Sequence, residues 1–152
     1  FCGYDKCTTE VEVNDLDGLE IAVFAKGKLI EVPRKPMFDA LTEADKKVLC
    51  DVFMKNIPPL EPEKSVLLLT QPLYIDGTVG SEAEQIEIYK KLVAENVTGE
   101  QLVIKPHPRD LTDYSAVFTQ AIILDKNMPV EVVRIGLDFD FLHLLTINST
   151  AI

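Results

Sequence analysis

Residues 102–109 read Leu-Val-Ile-Lys-Pro-His-Pro-Arg, and this stretch indicates how the chain folds. Its apolar start, which is rich in β-branched residues, is typical of the end of a buried strand. The two prolines then fix their own φ angles and push Lys105 and His107 toward an extended backbone. We therefore expect His107 on a stiffened loop at the carboxyl end of a strand, the end at which open α/β sheets bind their ligands.

Apolar runs and helical stripes alternate through residues 64–152. The expected strands are residues 65–70, 101–104, 121–124 and 141–147, and the expected helices begin near Ser81, Thr112 and Pro129. Continuously apolar strands that alternate with helices form parallel sheets covered on both faces. The pattern therefore predicts an α/β fold, with a Rossmann-like parallel sheet and helices on both faces.

Residues 1–63 are predicted to form a separate hairpin-and-helix segment with a linker. After a polar, turn-rich start, Leu19–Ala25 and Leu29–Val32 are expected to pair as a hairpin. A helix should follow the N-cap Thr42. The proline-rich stretch 58–62 marks the linker, so the Rossmann-like domain is expected to span residues 64–152.

The composition limits the classes of partner. The chain of 152 residues carries a net charge of −10, which argues against nucleic acid and against docking on an anionic membrane. No apolar run approaches the ~18 residues of a membrane span, and no signal-peptide leader is recognisable. The chain begins with Phe1 and stops just after an apolar strand. We interpret both ends as cut from a longer polypeptide.

The three cysteines, Cys2, Cys7 and Cys50, have an irregular spacing. An odd number at such a spacing does not make a disulfide framework, and no second pair of ligands suggests a zinc site. We expect reduced thiols, as in cytosolic proteins.

His107 is the first candidate for chemistry. Burial and the neighbouring cations Lys105 and Arg109 should lower the pKa of its ring, whereas a bound phosphate should raise it. A histidine that gains a proton when an anion arrives can act as a general acid or donate to a phosphate oxygen. Lys105 and Arg109 are either solvated loop charges or ion-pairing partners of that phosphate. His143, inside a strand, is interpreted as a structural side chain.

Four further residues are candidates for the same edge of the sheet. Ser149 and Thr150 follow the last expected strand, where they either cap a helix or add hydroxyl donors at an anion-binding helix N-terminus. Glu131 either compensates a helix dipole or accepts the hydroxyls of a ribose. Asp76 is either a turn residue or a carboxylate base. The lack of a dinucleotide-type glycine fingerprint and of a Gly-Lys-Ser/Thr loop argues against classical dehydrogenases and P-loop enzymes.

Five short sequence elements carry a resemblance to a known enzyme family. They are Leu-Leu-Leu-Thr-Gln-Pro-Leu at 67–73, Glu-Gln-Ile-Glu-Ile-Tyr at 84–89, Lys-Pro-His-Pro-Arg at 105–109, Pro-Val-Glu at 129–131 and Asn-Ser-Thr at 148–150. Together they resemble bacterial sialyltransferases of glycosyltransferase family 52, the lipooligosaccharide sialyltransferase type, over residues 65–152. The resemblance implies a GT-B fold, of which residues 64–152 would be most of the C-terminal, donor-binding half.

The resemblance also implies a reaction. Sialic acid would pass from CMP-sialic acid to a sugar of a bacterial surface glycan, such as lipooligosaccharide or capsule, without a metal ion or another cofactor. By this likeness His107 assists departure of the CMP phosphate, with Lys105 nearby. Ser149 and Thr150 match the phosphate-binding hydroxyl pair, and Glu131 matches the ribose-binding acid.

Thr70 and Gln71, in the first of the five elements, are expected at the donor site as well. The likeness makes Asp76 a candidate for the base that deprotonates the acceptor, with Glu82 and Glu84 as alternatives. The expected partners are the nucleotide-sugar donor and the glycan acceptor, and the apolar edges hint at a homodimer. The expected location is the cytoplasm, including the inner face of the cell membrane.

Two other functions stay open at this point. One is another transferase on the same scaffold, of the polysialyl or glycerophosphate polymer type, in which a His-Pro loop also binds a phosphate. The other is a non-catalytic domain of the machinery that assembles polysaccharides.

Overall fold

A computed structural model describes residues 7–17, 27–137 and 141–147. The chain divides into two compact units, Phe1–Ala44 and Asp45–Ile152. The boundary that the sequence predicts at residue 64 stays a prediction. No helix in the described ranges is both long enough and apolar enough to cross a membrane.

In its described residues, the first unit contains two short parallel strands and a short helix. Strand β1 (Val11–Val13) pairs with β2 (Leu29–Glu31), and helix α1 (Arg34–Asp39) follows. The sequence analysis missed β1, because three residues are too few for a strand period to stand out in a polar stretch. The expected hairpin partner, residues 19–25, lies outside the described residues, so the hairpin stays a prediction.

The second unit is built on a four-stranded sheet. Its elements are α2 (Glu43–Phe53, which begins at the unit boundary), a 3₁₀ turn (Pro62–Lys64), β3 (Ser65–Leu69), α3 (Glu82–Asn96), β4 (Gln101–Lys105), α4 (Tyr114–Val117), β5 (Ile122–Ile123), α5 (Val130–Leu137) and β6 (His143–Thr146). The strands lie in the order β5-β4-β3-β6, and every neighbouring pair is parallel. This order confirms the predicted Rossmann-like sheet.

Helices pack on both faces of this sheet, because successive side chains of a strand point to opposite faces. On one face, Leu67 and Leu69 of β3 meet a cluster that includes Val133 of α5, with Leu49 and Phe53 of α2 against it. On the other face, the core residues come from β3, β4, α3 and α4; they include Leu68, Ile104, Tyr89 and Tyr114. The predicted covering of both faces is therefore confirmed.

The ends of the helices follow local capping chemistry. Ser81 caps α3 as predicted, since its Oγ accepts a hydrogen bond from Glu84 N at 3.1 Å. The prediction that Thr112 caps the next helix is wrong: Asp113 is the cap of α4 and accepts from Ser115 N at 3.0 Å. The hydroxyl of Thr112 is engaged elsewhere, since it accepts from Gln85 Nε2 at 3.1 Å.

Candidate functional site

His107 lies in a tight turn directly after β4. Asp110 N donates to His107 O at 2.9 Å, which closes a β-turn with Pro108 at its second position. Inside this turn Arg109 N donates to Nδ1 of His107 at 3.2 Å. A nitrogen that accepts cannot carry the proton, so the neutral ring has its proton on Nε2. The backbone N–H of Arg109 therefore sets the tautomer of the candidate acid.

The surroundings lower the pKa of His107, as the sequence predicts. Burial is the main cause, and the positive charge of Arg109 comes next. Asp76 opposes these effects, Lys105 adds slightly to them, and Asp110 opposes them slightly. The ring is therefore held toward its neutral form until a negative charge is added beside it.

Arg109 and Asp76, predicted as a phosphate ligand and a turn residue or base, contact each other. The guanidinium donates to both carboxylate oxygens, at 2.7 and 3.1 Å. This forked pair joins the loop after β3 to the His107 turn, and both side chains are open to solvent. The turn residue Gly77 has a φ of +71°, so the prediction of a turn at Asp76-Gly77 fits the backbone.

Lys105 is buried at the end of β4, with only 6% of its surface exposed. Its ammonium donates to Pro106 O at 2.7 Å and to Lys126 O at 3.0 Å, so it ties the His107 loop to the loop after β5. Burial lowers the pKa of Lys105, and the charges of Asp125 and Glu131 oppose this. The structure thus brings Glu131, in the half-buried first turn of α5, into the electrostatic environment of the predicted site.

A buried polar cluster centred on Asp110 supports the His107 turn, and the sequence analysis missed most of its members. Asp110, 3% exposed, accepts hydrogen bonds from Thr70 Oγ1 (3.1 Å), Tyr114 OH (2.8 Å), Thr112 N (3.1 Å) and Gln85 Nε2 (3.2 Å). Thr70, expected at the donor site, is itself 1% exposed and belongs to this cluster. A signal was present in the sequence: Gln85 is a polar residue four positions before Tyr89 on the buried side of α3.

Gln71, the other residue expected at the donor site, is held through its backbone. Its N–H donates to Tyr89 OH at 2.6 Å, and the same hydroxyl donates to Gln71 O at 3.1 Å. Burial raises the pKa of Tyr89 to about 12, and burial likewise raises the pKa of Tyr114. The hydroxyls of these two tyrosines thus hold Gln71 and Asp110 at the edge of the sheet.

The remaining predicted residues do not join this cluster. Ser149 and Thr150 lie outside the described residues. Glu84 accepts from Gly80 N at 2.8 Å and is engaged at the start of α3, whereas Glu82 is exposed in its first turn. His143 is exposed at the start of β6, at the opposite edge of the sheet from His107.

Two cavities differ in how well they fit an anion. A groove of about 990 Å³ lies where the strands begin, and Glu61 and Glu63 help to line it. An acidic groove at the amino ends of parallel strands is a poor site for a phosphate. A recess of about 200 Å³ adjoins the His107 loop, with Pro106, Asp110 and Lys126 in its lining. Open α/β sheets bind their ligands at the carboxyl ends of the strands, so the position of the recess favours the His107 edge over the larger groove.

Comparison with known proteins identifies the family. The model of glycosyltransferase family 52 matches residues 1–152. An uncharacterized protein of Haemophilus influenzae strain Rd is 37% identical over 129 residues, which are 83% of this chain but 41% of that protein. The chain thus spans less than half the length of this relative, and no solved structure matches the chain significantly. Since the family model covers the whole sequence, the chain belongs to glycosyltransferase family 52.

Proposed function

We propose that the full-length protein is a glycosyltransferase that moves sialic acid from CMP-sialic acid to a sugar hydroxyl of a bacterial surface glycan. The observation that carries the proposal is the state of His107. Its Nδ1 is occupied by Arg109 N–H at the carboxyl edge of a Rossmann-like sheet, so the ring proton is on Nε2. Membership of family 52 supports the transfer of a sugar from a nucleotide donor.

His107 acts on the leaving group in this proposal. The bond between C2 of sialic acid and the phosphate oxygen breaks while the acceptor oxygen bonds to C2, and negative charge grows on the phosphate. His107 Nε2–H donates to that phosphate, where a fixed donor stabilises the charge as it develops. Burial and Arg109 lower the pKa of His107, and the arriving phosphate raises it. The proton that the ring takes up on donor binding goes to Nδ1, and Arg109 N then gives up its hydrogen bond to that atom.

The forked pair of Arg109 and Asp76 links donor binding to the base. In the free protein both oxygens of Asp76 accept from Arg109, so this carboxylate is not available to deprotonate an acceptor. A donor phosphate competes for the same guanidinium. Arg109 turns to the phosphate, and Asp76 is released to take the proton of the acceptor hydroxyl. The predicted phosphate ligand and the predicted base thus become active together.

The other predicted residues keep more distant roles. Lys105, whose ammonium is buried against two carbonyls, supplies positive charge behind the His107 loop rather than a direct contact. Glu131 accepts the ribose hydroxyls, and Ser149 and Thr150 complete the phosphate site. No metal ion takes part. The present chain is the donor-binding half of a GT-B fold, and the rest of the full-length protein supplies the acceptor side.

The proposal is tested on the full-length protein with CMP-sialic acid and a lipooligosaccharide acceptor. We expect CMP to bind and UDP and CDP-glycerol to bind much more weakly in calorimetry. His107→Ala should lower turnover by roughly 10²- to 10⁴-fold, the usual contribution of a general acid. His143→Ala is the matched control, because that histidine is exposed at the other edge of the sheet.

Each contrary result has a definite meaning. If neither CMP nor CMP-sialic acid binds, the sialyltransferase proposal fails. Preferred binding of CDP-glycerol would favour a glycerophosphate polymer enzyme on the same scaffold. Binding of CMP without turnover, or turnover that His107→Ala leaves unchanged, would contradict the role proposed for His107.

A further inference from the structure

Asp110 is an unusual residue to find buried beside the candidate acid. It follows the His107 turn directly, is 3% exposed, and its side chain accepts from neutral groups: hydroxyls, an amide and a backbone N–H. The nearby Lys126 ammonium donates to Asp110 O, which is the backbone oxygen and not the carboxylate. Burying a carboxylate without a cation is costly. Packing alone would be served better by a neutral side chain.

The hydrogen bonds explain why a carboxylate is present. Oδ2 accepts from two hydroxyls, those of Thr70 and Tyr114, at 3.1 and 2.8 Å. Oδ1 accepts from Thr112 N and Gln85 Nε2, at 3.1 and 3.2 Å. Every hydrogen bond that the structure gives this side chain is one that it accepts. In an asparagine an NH₂ group takes the place of one of the two oxygens. That group would face atoms that already donate, so asparagine could not make all of these hydrogen bonds.

Asp110 is connected to the backbone of His107 in two ways. Because Thr70 gives its proton to Asp110, a lone pair of its Oγ1 is left to accept from His107 N at 3.4 Å. Asp110 N donates to His107 O at 2.9 Å and closes the turn that brings Arg109 N to Nδ1. Both polar groups of the His107 backbone are thus held by Asp110, directly or through Thr70.

We propose that Asp110, acting with Thr70, is a positioning residue that holds His107 in the orientation and tautomer needed to donate from Nε2 to the departing phosphate. The inference rests on the proposed function for its catalytic consequence. Its structural part, the control of the His107 tautomer, does not depend on the identity of the substrate. Neither Asp110 nor its partners Gln85 and Tyr114 contact the reacting atoms in this scheme.

The charges around His107 give the inference a second readout. Arg109 and Lys105 lower the pKa of the ring, Asp76 raises it, and Asp110 raises it more weakly. Removing the charge of Asp110 should therefore move the pKa of His107 further down. The pKa seen in the pH dependence of activity should also move down. A loss of packing alone would not cause this shift.

Asp110→Asn in the full-length protein is the main test, with Asp113→Asn as the matched control. Asp113 is an exposed helix cap three residues further on, and asparagine is an equally good cap. Nitrogen-15 NMR of the histidine rings reports the tautomer without any substrate. The sequence has two histidines, so a His143→Gln background isolates the signal of His107.

We expect Asp110→Asn to give a mixture of ring tautomers and a lower pKa for His107. We also expect kcat with CMP-sialic acid to fall roughly 10- to 100-fold, as for other supporting residues, while KM for the donor changes less than about threefold. Asp113→Asn should leave all of these unchanged. An unchanged tautomer and pKa in folded Asp110→Asn, or an equal loss of kcat in Asp113→Asn, overturns the inference.

A second pair of variants covers the case in which Asp110→Asn does not fold. Thr70→Ser keeps the hydroxyl that relays Asp110 to His107 N, whereas Thr70→Val removes it at a similar volume. We expect the serine variant to keep the wild-type tautomer and the valine variant to lose it, and the same tautomer in both overturns the inference. If CMP-sialic acid is not a substrate, the tautomer of His107 still tests the positioning role, so the two proposals fail separately.

Discussion

Residues 68–70 and 144–146 share the sequence Leu-Leu-Thr on two neighbouring parallel strands. In the first copy both leucines are buried and the hydroxyl of Thr70 bonds Asp110 and His107 N. In the second copy Leu144 is 41% exposed, and the hydroxyl of Thr146 is buried without a hydrogen-bond partner among the described residues. The same tripeptide thus stands in opposite environments.

The difference comes from the place of each strand in the sheet. Strand β3 lies between β4 and β6 and all five of its residues are buried. Strand β6 pairs with β3, and within the described part of the chain the first two residues of β6, His143 and Leu144, are exposed. An apolar run therefore identifies a strand, but the neighbours that other segments supply decide whether its side chains become core or surface.

The largest difference is expected between the first leucines of the two Leu-Leu-Thr copies, Leu68 and Leu144. Leu68→Ala should lower the free energy of unfolding by about 2 to 5 kcal/mol, because it leaves a cavity in a filled core. Leu144→Ala should cost less than about 1 kcal/mol, since its side chain is already partly in water. Urea unfolding of the full-length protein measures both. Equal losses would mean that β6 is covered as completely as β3.

The second largest effect is expected at alkaline pH, which should lower the stability of the folded protein through Tyr89, the residue that holds the loop after β3. The folded-state pKa of Tyr89 is raised from 10.0 to about 12, so the protonated hydroxyl stabilises the folded protein fully below pH 10. This stabilisation is lost as the pH rises from 10 toward 12, by about 3 kcal/mol in all.

Tyr89→Phe tests this pH dependence, because it removes the titrating hydroxyl that holds Gln71. Stability should then fall less steeply above pH 10, although burial also raises the pKa of Tyr114. Tyr74→Phe, at an exposed position, serves as the control. If Tyr89→Phe does not change how steeply stability falls above pH 10, other groups cause the alkaline sensitivity.

The two threonines should respond in opposite ways to the loss of a hydroxyl. Thr70→Val leaves Asp110 and His107 N each short of a partner, and we expect a loss of about 1 to 3 kcal/mol. Thr146→Val removes a buried hydroxyl that has no partner in the described residues, and we expect no loss or a slight gain. Thermal unfolding of both variants decides the matter, and a clear destabilisation by Thr146→Val would reveal a hydrogen bond at β6.

The smallest effect is expected at the ion pair between Arg109 and Asp76, which joins the loops after β4 and β3. Arg109→Gln removes a forked contact to Asp76, but both side chains are largely exposed. Exposed pairs contribute little, so we expect a change in stability of less than about 1 kcal/mol. Lys47→Gln, which breaks an exposed pair on α2, is the control. A much larger loss for Arg109→Gln would show that the pair, and not burial, holds the loop after β3 in position.

The sequence was sufficient to predict the sheet, because β3 and β4 are continuous apolar runs separated by a helix with a clear cap at Ser81. The position of His107 followed from the two prolines beside it. The buried partners of His107 were not predictable in the same way. Gln85 lies 25 residues before Asp110 in the sequence, and no local pattern reveals that this one carboxylate accepts from both Gln85 and Tyr114. Short elements such as β1 were missed because three residues carry too little periodicity.

The burial of Lys105 has a consequence for chemical labelling. The residue is 6% exposed and its ammonium is held by two backbone carbonyls, so an amine-reactive reagent cannot reach it while the loops after β4 and β5 stay closed. Exposed lysines such as Lys35 and Lys47 react at once. Once the loops open, the amine of Lys105 becomes accessible, and its rate of acylation then measures how often this edge of the sheet opens. Labelling of this one lysine thus reports the opening of the His107 edge of the sheet.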